Sequence, residues 1–199
     1  MSTNLHNSKT LTGKDLINIG IYTAIYFVIM MLVGWLGFMP VFIPLLAVVV
    51  PLLGGIPFML FLTKVKKFGM VTIIGILIGI IMLLTGMGYW TILTGAVFGL
   101  LTELVLKSGS YQSQSKSVLA NGLFSMWVFG NFIPFFVGRE AYLADLTQRF
   151  GAGYSSALAG YMPYWILPVL LVLSFIFGIL GGLLGRGICK KHFERAGIV

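Results

Sequence analysis

The sequence predicts an all-α integral membrane protein with six transmembrane helices and with its N and C termini in the cytoplasm. Of its 199 residues, 58% are hydrophobic and only 9% are charged, and the mean hydropathy is +1.02. Soluble domains carry roughly 25% charged residues, so a soluble fold is excluded. Several uncharged runs are long enough to cross a hydrocarbon core of about 30 Å as helices.

The first span is predicted over residues 14–38, after a polar N-terminal tail over residues 1–13. Asp15 is followed by more than twenty residues without a charge. Gly20 and Ala24 stand four residues apart and therefore share one face of this helix. Such a pair of small residues lets a second helix approach closely. The second helix is either the next one in this protein or one that belongs to a docking partner.

The next three spans are predicted over residues 41–65, 68–87 and 91–106. The first of these contains Pro44, Pro51 and Pro57, and proline interrupts helical hydrogen bonding, so we expect a bent or broken segment there. The other two spans carry glycines four residues apart, which predicts close packing against other helices. These glycines are Gly75, Gly79, Gly95 and Gly99.

The fifth span is predicted over residues 118–137 and the sixth over residues 162–185. Trp127 and Asn131 are four residues apart, so we expect them to share a face of the fifth helix. Between the two spans, residues 139–150 alternate polar and apolar side chains, which predicts a short amphipathic helix on the outer side. The transmembrane domain is thus 14–187, and a basic tail follows over residues 188–199.

The distribution of basic residues predicts the orientation. Eleven of the 13 lysines and arginines fall on one side of the six-span arrangement, whereas Arg139 and Arg149 fall on the other. Loops rich in lysine and arginine remain in the cytoplasm. The net charge of +8 is therefore explained by topology, and we expect no nucleic-acid partner.

Motifs for catalysis are missing from the sequence. It contains no HExxH, no GxSxG and no Walker A loop, and its single cysteine is Cys189. Apart from Asp15 at the start of the first span, Glu103 is the only acidic residue inside a predicted span, and its spacing predicts an ion pair with Lys107 at the cytoplasmic interface. We therefore predict no catalytic residue, no metal site and no ATP hydrolysis by this chain.

Aromatic and polar residues concentrate near the outer ends of the predicted spans. Each aromatic residue could belong to the belt that membrane proteins place at the headgroup level. Small-molecule sites are also mostly apolar and aromatic with a few oriented polar groups. The candidate substrate-binding residues are Trp35, Tyr89, Trp90, Trp127, Asn131, Arg139, Glu140, Tyr161, Tyr164 and Trp165.

Three blocks of sequence carry a family resemblance: KDLINIGIYTAIYF, LLGGIPFMLFLTKVKKFG and GGLLGRGICKKHFERAGI. In this order they resemble the substrate-binding S components of energy-coupling factor (ECF) transporters, in particular those of the Trep_Strep type. The resemblance implies an S-component bundle in the bacterial plasma membrane. It also implies partners, namely an ECF transmembrane coupling protein and two ABC ATPases. Those ATPases use ATP, while this chain holds no cofactor.

The same resemblance implies a docking motif and a function. The family's Ala-xxx-Ala docking motif matches Gly20 and Ala24, with glycine in place of the first alanine. The implied function is to bind a vitamin or related micronutrient at the outer face and to deliver it inward by toppling in the membrane. Hydroxymethylpyrimidine or a vitamin B6 form would suit the aromatic candidates. The alternative is a stand-alone facilitator or channel for a small neutral solute; an intramembrane enzyme would need a nucleophile or a metal set, which the sequence lacks.

Overall fold

A computed structural model describes residues 10–193 of the chain. Residues 1–9 and 194–199 of the predicted tails lie outside this range. The described residues form eight α-helices and no strands: α1 Gly13–Gly34, α2 Leu46–Leu62, α3 Met70–Leu84, α4 Trp90–Ser108, α5 Gln114–Ser125, α6 Arg139–Phe150, α7 Ala152–Tyr161 and α8 Ile166–Ile188. The prediction of an all-α protein is confirmed.

Within residues 10–193, three helical segments are long and apolar enough to cross a membrane: Gly13–Phe38, Trp90–Ser108 and Ile166–Lys191. The helices α2 and α3 are apolar but shorter. Membrane insertion therefore follows from length and composition. The count of six spans and the side on which the termini lie remain predictions.

Polar contacts at the start of α1 tie it to the α2–α3 connection. Thr12 is the N-cap residue of α1. The carboxylate of Asp15 accepts hydrogen bonds from the backbone N–H and the hydroxyl of Thr12, at 2.8 and 2.7 Å. The same carboxylate lies 2.8 Å from the Lys67 ammonium. Lys67, which lies between the second and third predicted spans, thus anchors the first turn of α1.

The proline-rich second segment is broken before its helix rather than inside it. Two 3₁₀ turns, Trp35–Phe38 and Pro40–Phe42, precede α2. The helix then runs through Pro51 and Pro57, which are both buried. Proline fits the tight turns because its φ angle is already fixed near −65°. The α-helical part of this segment is therefore shorter than the apolar run in the sequence.

Glycines bring two pairs of helices into backbone contact. A Cβ atom added to Gly75 of α3 would collide with the backbone of Gly95 in α4. A Cβ atom added to Gly55 of α2 would likewise collide with the backbone of Gly181 in α8. A Cβ atom on Gly79 would lie 2.5 Å from the Cα of Ile92. The predicted close packing of the third and fourth spans is confirmed. Both the α2–α8 and the α3–α4 pairs are therefore closely packed.

The predicted fifth span changes its helical geometry halfway. Its α-helical part, α5, ends at Ser125, and a 3₁₀ helix follows over Met126–Asn131. A 3₁₀ helix has three residues per turn, so positions three apart are aligned and positions four apart are not. The prediction that Trp127 and Asn131 share a helix face is therefore wrong.

The predicted pairing of Glu103 with Lys107 is also wrong. The Glu103 side chain is fully buried, and its Oε2 accepts hydrogen bonds from the backbone N–H groups of Val71 and Thr72, at 2.8 and 3.2 Å. These groups belong to the first turn of α3, which begins after Gly69 and has no capping side chain of its own. The Lys107 ammonium instead lies 5.2 Å from the centre of the Phe68 ring. The free N–H groups of a helix start need an acceptor, and a carboxylate is favourable there.

A helical hairpin covers one end of the bundle. We call residues 139–161, which comprise α6 and α7, the cap. The amphipathic helix predicted over 139–150 is confirmed as α6, whereas α7 was not predicted. Its sequence, AGYSSALAGY, has a weak apolar period and many small residues, which is why the helical pattern was not evident.

Candidate binding site

Four aromatic side chains pack together in the middle of the bundle. Trp127 is 2% exposed, and its indole N–H donates a hydrogen bond to the Tyr26 hydroxyl at 3.0 Å. The rings of Phe58 and Phe124 stack with their centres 4.2 Å apart, and Phe124 meets the Tyr26 ring edge-on. We call Tyr26, Phe58, Phe124 and Trp127 the aromatic cluster. It joins α1, α2, α5 and the 3₁₀ helix that follows α5.

The 3₁₀ helix is held against α4 by close contacts. The Thr94 hydroxyl donates a hydrogen bond to the Trp127 carbonyl at 2.8 Å. A Cβ atom on Gly130 would lie 2.7 Å from the Cα of Thr91, so only glycine fits at this crossing. These contacts fix the position of Asn131 beside the first turn of α4.

Asn131 has a buried amide oxygen without a hydrogen-bond partner among the described residues. The Oδ1 atom of Asn121 is in the same state, although its Nδ2 donates to the Gly178 carbonyl at 2.5 Å. A buried polar atom without a partner costs free energy. These two amide oxygens can therefore each accept a hydrogen bond from the O–H group of a water or from an N–H or O–H group of a ligand.

Arg139 fastens the base of the cap. Its guanidinium donates hydrogen bonds to three backbone carbonyls, those of Phe135, Ala159 and Met162, at 3.1, 2.8 and 2.6 Å. The first carbonyl precedes the cap and the other two lie at the end of α7 or just after it. The Arg139 guanidinium also lies over the Tyr164 ring, 5.3 Å from the ring centre. A cation is favourable there because helix C-termini present unpaired carbonyl oxygens. The guanidinium of this candidate residue is therefore occupied by the chain itself.

Replacement of Arg139 by glutamine should loosen the cap. Hydrogen bonds from a charged group contribute about 1.5–3 kcal/mol each, so we expect limited proteolysis within residues 139–161 to become at least about tenfold faster. The measurement is the cleavage rate of purified protein in nanodiscs. Arg149→Gln is the matched control, since Arg149 forms an exposed ion pair with Asp145, and such pairs contribute little. Equal cleavage of the two variants would contradict the role of Arg139.

The other candidate residues lie apart from the aromatic cluster. Tyr89 and Trp90 stack on each other, with ring centres 5.0 Å apart, at the start of α4. Trp165 lines a shallow apolar groove of about 330 Å³ between the first parts of α2 and α8. The exposed candidates are Trp35, Tyr89, Glu140, Tyr161, Tyr164 and Trp165. The structure thus brings together Tyr89 with Trp90 and Arg139 with Tyr164, but not the ten residues as one set.

Three residues with a structural part in this region were not among the candidates. Tyr26 and Thr94 bond to Trp127, and the Tyr154 hydroxyl donates to the Gly37 carbonyl at 2.6 Å. A tyrosine inside an apolar span needs a partner for its hydroxyl, and this was the available signal for Tyr26. No sequence pattern indicated Tyr154, because its partner is a backbone carbonyl more than one hundred residues away.

Gly20 and Ala24 lie on an exposed face of α1. A Cβ atom added to Gly20 would meet no atom within 4 Å. The residues around them on this face are large and apolar, and Ile17 and Val28 are more than half exposed. The alternative in which this pair packs against the next helix of the protein is therefore wrong.

Comparison with protein families gave one match over most of the chain. Residues 13–195 match the family described as "Hypothetical bacterial integral membrane protein (Trep_Strep)". Neither the curated proteins nor the solved structures gave a match. The matched range covers all eight helices, the aromatic cluster, the cap and the exposed face of α1. The chain therefore belongs to the Trep_Strep family of bacterial integral membrane proteins.

Proposed function

We propose that this chain is the substrate-binding S component of an ECF-type importer in the bacterial plasma membrane. The observation that carries the proposal is the exposed pair Gly20 and Ala24. Small residues four apart serve close helix contact, and none of the described residues would come within 4 Å of a Cβ atom on Gly20. The resemblance of three sequence blocks to S components supports the same conclusion. In this proposal the face is occupied by the transmembrane coupling protein, to which two ABC ATPases are bound.

In this proposal the six predicted spans are α1, α2, α3, α4, the segment of α5 with its 3₁₀ continuation, and α8. The non-helical turns that adjoin the shorter helices would then lie at membrane depth, where irregular backbone must be covered by protein. The proposal has both termini in the cytoplasm and the cap outside, and the excess of lysine and arginine on one side of the predicted spans supports this orientation. The protein alone has no ATP-binding loop in its sequence, so the partner ATPases supply the energy for toppling.

The proposed substrate site lies between the aromatic cluster and the cap, with Asn131 as its polar group. Aromatic rings, the proton of the Tyr26 hydroxyl, which accepts from Trp127 and can still donate, and the unpaired amide oxygen of Asn131 suit a flat heteroaromatic molecule. The single arginine nearby is engaged with carbonyls, so an uncharged substrate is favoured. A vitamin or related micronutrient fits this description, and hydroxymethylpyrimidine or a vitamin B6 form is our specific suggestion.

A stand-alone facilitator for a small neutral solute is the second candidate. It is favoured by buried polar side chains that extend beyond the cap end, among them Thr102 and Asn121. The Thr102 hydroxyl is engaged, however, because it donates to the Phe98 carbonyl at 2.6 Å. Polar groups that bond their own helix offer little to a passing solute, so this candidate ranks second.

Co-purification from the native host tests the proposal. A C-terminally tagged protein should bring down one membrane protein and two ATPases, and the double variant Gly20→Leu/Ala24→Leu should recover them at least about tenfold less, because leucine fills the close-contact surface. The control is Gly187→Leu, which enlarges an exposed glycine of α8 with equally open surroundings. Recovery of the protein alone, with uptake into liposomes that needs no ATP, would establish the facilitator instead.

A further inference from the structure

We propose that two adjoining grooves at the start of α8 bind an anionic phospholipid, with its acyl chains in the grooves and its phosphate at the Arg139 guanidinium. The proposed site depends only on the location of the chain in a membrane, so it stands apart from the importer proposal.

The two grooves lie side by side on the first part of α8. The first, of about 330 Å³, separates α8 from residues 41–48, and the second, of about 290 Å³, lies on α8 itself. Val169 and Leu173 line both grooves and therefore form the ridge between them. The other lining residues are Val41, Pro44, Leu45, Val48, Trp165, Ile166, Pro168, Leu170 and Val172. Two apolar grooves with a common ridge fit the two acyl chains of one phospholipid.

The length of the grooves matches one leaflet of a bilayer. Residues 165–173 cover about 12 Å of helix axis, and half of a hydrocarbon core is roughly 15 Å deep. At the upper end, Tyr164 and Trp165 are 66% and 68% exposed, and tyrosine and tryptophan favour the headgroup level. The grooves therefore lie among the acyl chains of the leaflet on the side of the cap.

Arg139 lies at the mouth of the grooves with hydrogen-bond donors to spare. Its guanidinium is 5.3 Å from the centre of the Tyr164 ring, and Tyr164 directly precedes Trp165 of the first groove. Arginine has five N–H groups, of which two on Nη1 and one on Nη2 donate to backbone carbonyls. Among the described residues, the Nε–H group and the second Nη2–H group have no acceptor.

The positive charge of Arg139 favours an anionic headgroup. No carboxylate of residues 10–193 forms an ion pair with it, not even that of the adjacent Glu140, whereas Arg149 pairs with Asp145. Carbonyl dipoles stabilise a guanidinium without neutralising it, and a phosphate oxygen would add charge-assisted hydrogen bonds. Arg139 is only half-buried, so a headgroup can reach it.

Quenching of Trp165 fluorescence by brominated lipid measures the binding. The protein is placed in phosphatidylcholine nanodiscs with increasing fractions of phosphatidylglycerol that carries brominated acyl chains. The signal of Trp165 is the difference between the protein and its Trp165→Phe variant. Half of the quenching should occur at a roughly fivefold lower lipid fraction than with brominated phosphatidylcholine, the factor expected for one basic residue at the membrane surface.

Two variants test the headgroup contact, each measured with and without Trp165→Phe. Arg139→Gln should abolish the preference for phosphatidylglycerol. Arg139→Lys keeps the charge and should retain most of the preference, although it also loses the fork of hydrogen bonds to the cap. A preference lost equally in both variants would assign Arg139 a structural role alone and overturn the phosphate contact.

A third variant tests the grooves. Val169→Phe enlarges the ridge and should reduce the quenching of Trp165 by both lipids by about half, because the ring takes the place of an acyl chain. Val97→Phe is the matched control, since Val97 is an exposed valine of α4 outside both grooves. If Val169→Phe disturbs folding, Val48→Phe narrows the first groove from the opposite wall.

Two outcomes would overturn the proposal. Equal quenching of the unaltered protein by the two brominated lipids would mean ordinary contact with the surrounding bilayer. A loss after Val169→Phe no larger than that after Val97→Phe would show that the grooves hold no acyl chain. The assay uses neither substrate nor partner proteins, so its failure would leave the importer proposal standing.

Discussion

Replacement of Gly181 by alanine should strongly destabilise the protein. The added Cβ atom would collide with the Pro51 carbonyl and lie 2.7 Å from the Leu52 carbonyl oxygen and 3.0 Å from its Cα. All three atoms are backbone, so no side chain can move aside. Overpacking usually costs 1–3 kcal/mol, and here we expect about 3 kcal/mol or more because the helices themselves must separate.

The measurement is the thermal unfolding midpoint and the size-exclusion profile in detergent. Gly187→Ala is the control, since it adds the same methyl group to the same helix in open surroundings. Alanine is the better helix former, so the control should be neutral or stabilised by up to about 1 kcal/mol. If both variants melt alike, α2 and α8 do not meet as described.

Replacement of Glu103 by alanine should cost about 3 kcal/mol of unfolding free energy, because it leaves buried donors without an acceptor. Val71 and Thr72 would lose the cap on their N–H groups, and the Tyr111 hydroxyl, which donates to Glu103 Oε1 at 3.0 Å, would lose its partner. Thermal unfolding in detergent measures the loss.

Two companion variants separate this capping role from an ion pair. Glu103→Gln keeps an acceptor oxygen and should cost about 1 kcal/mol, the difference between a charged and a neutral hydrogen bond. Lys107→Ala should cost less than about 1 kcal/mol, since it removes only a contact with an aromatic ring. A loss after Lys107→Ala equal to that after Glu103→Ala would restore the ion-pair interpretation.

The parts of the fold that depend on local pattern could be predicted from the sequence. Apolar runs located the long helices, the glycine spacing predicted that the third and fourth spans pack closely against other helices, and alternation predicted α6. The errors have a common cause. The capping of α3 by Glu103 and the 3₁₀ continuation of α5 both depend on which backbone groups meet in space. A local pattern contains no information about such distant partners.

The candidate site was predictable only in residue type. The sequence indicated an aromatic and polar set, and Trp127 and Asn131 do lie in the interior or near it. It could not separate these from exposed residues such as Trp35 and Tyr164, because both positions favour aromatic rings near the ends of spans. Likewise the sequence shows that Arg139 is charged. It could not show that the guanidinium already donates hydrogen bonds to three backbone carbonyls of the chain.

The unequal lengths of the helices have a consequence for the surrounding lipid. With 22 residues, α1 is about 33 Å long, whereas α3, with 15 residues, is about 22 Å long. A hydrocarbon core of about 30 Å matches the first helix and exceeds the second. In the proposed six-span arrangement the bilayer beside α3 thins to match the short helix, at a cost of a fraction of a kcal/mol per Å of mismatch. That arrangement implies that the lipid layer around the protein is thinner beside α3 than beside α1.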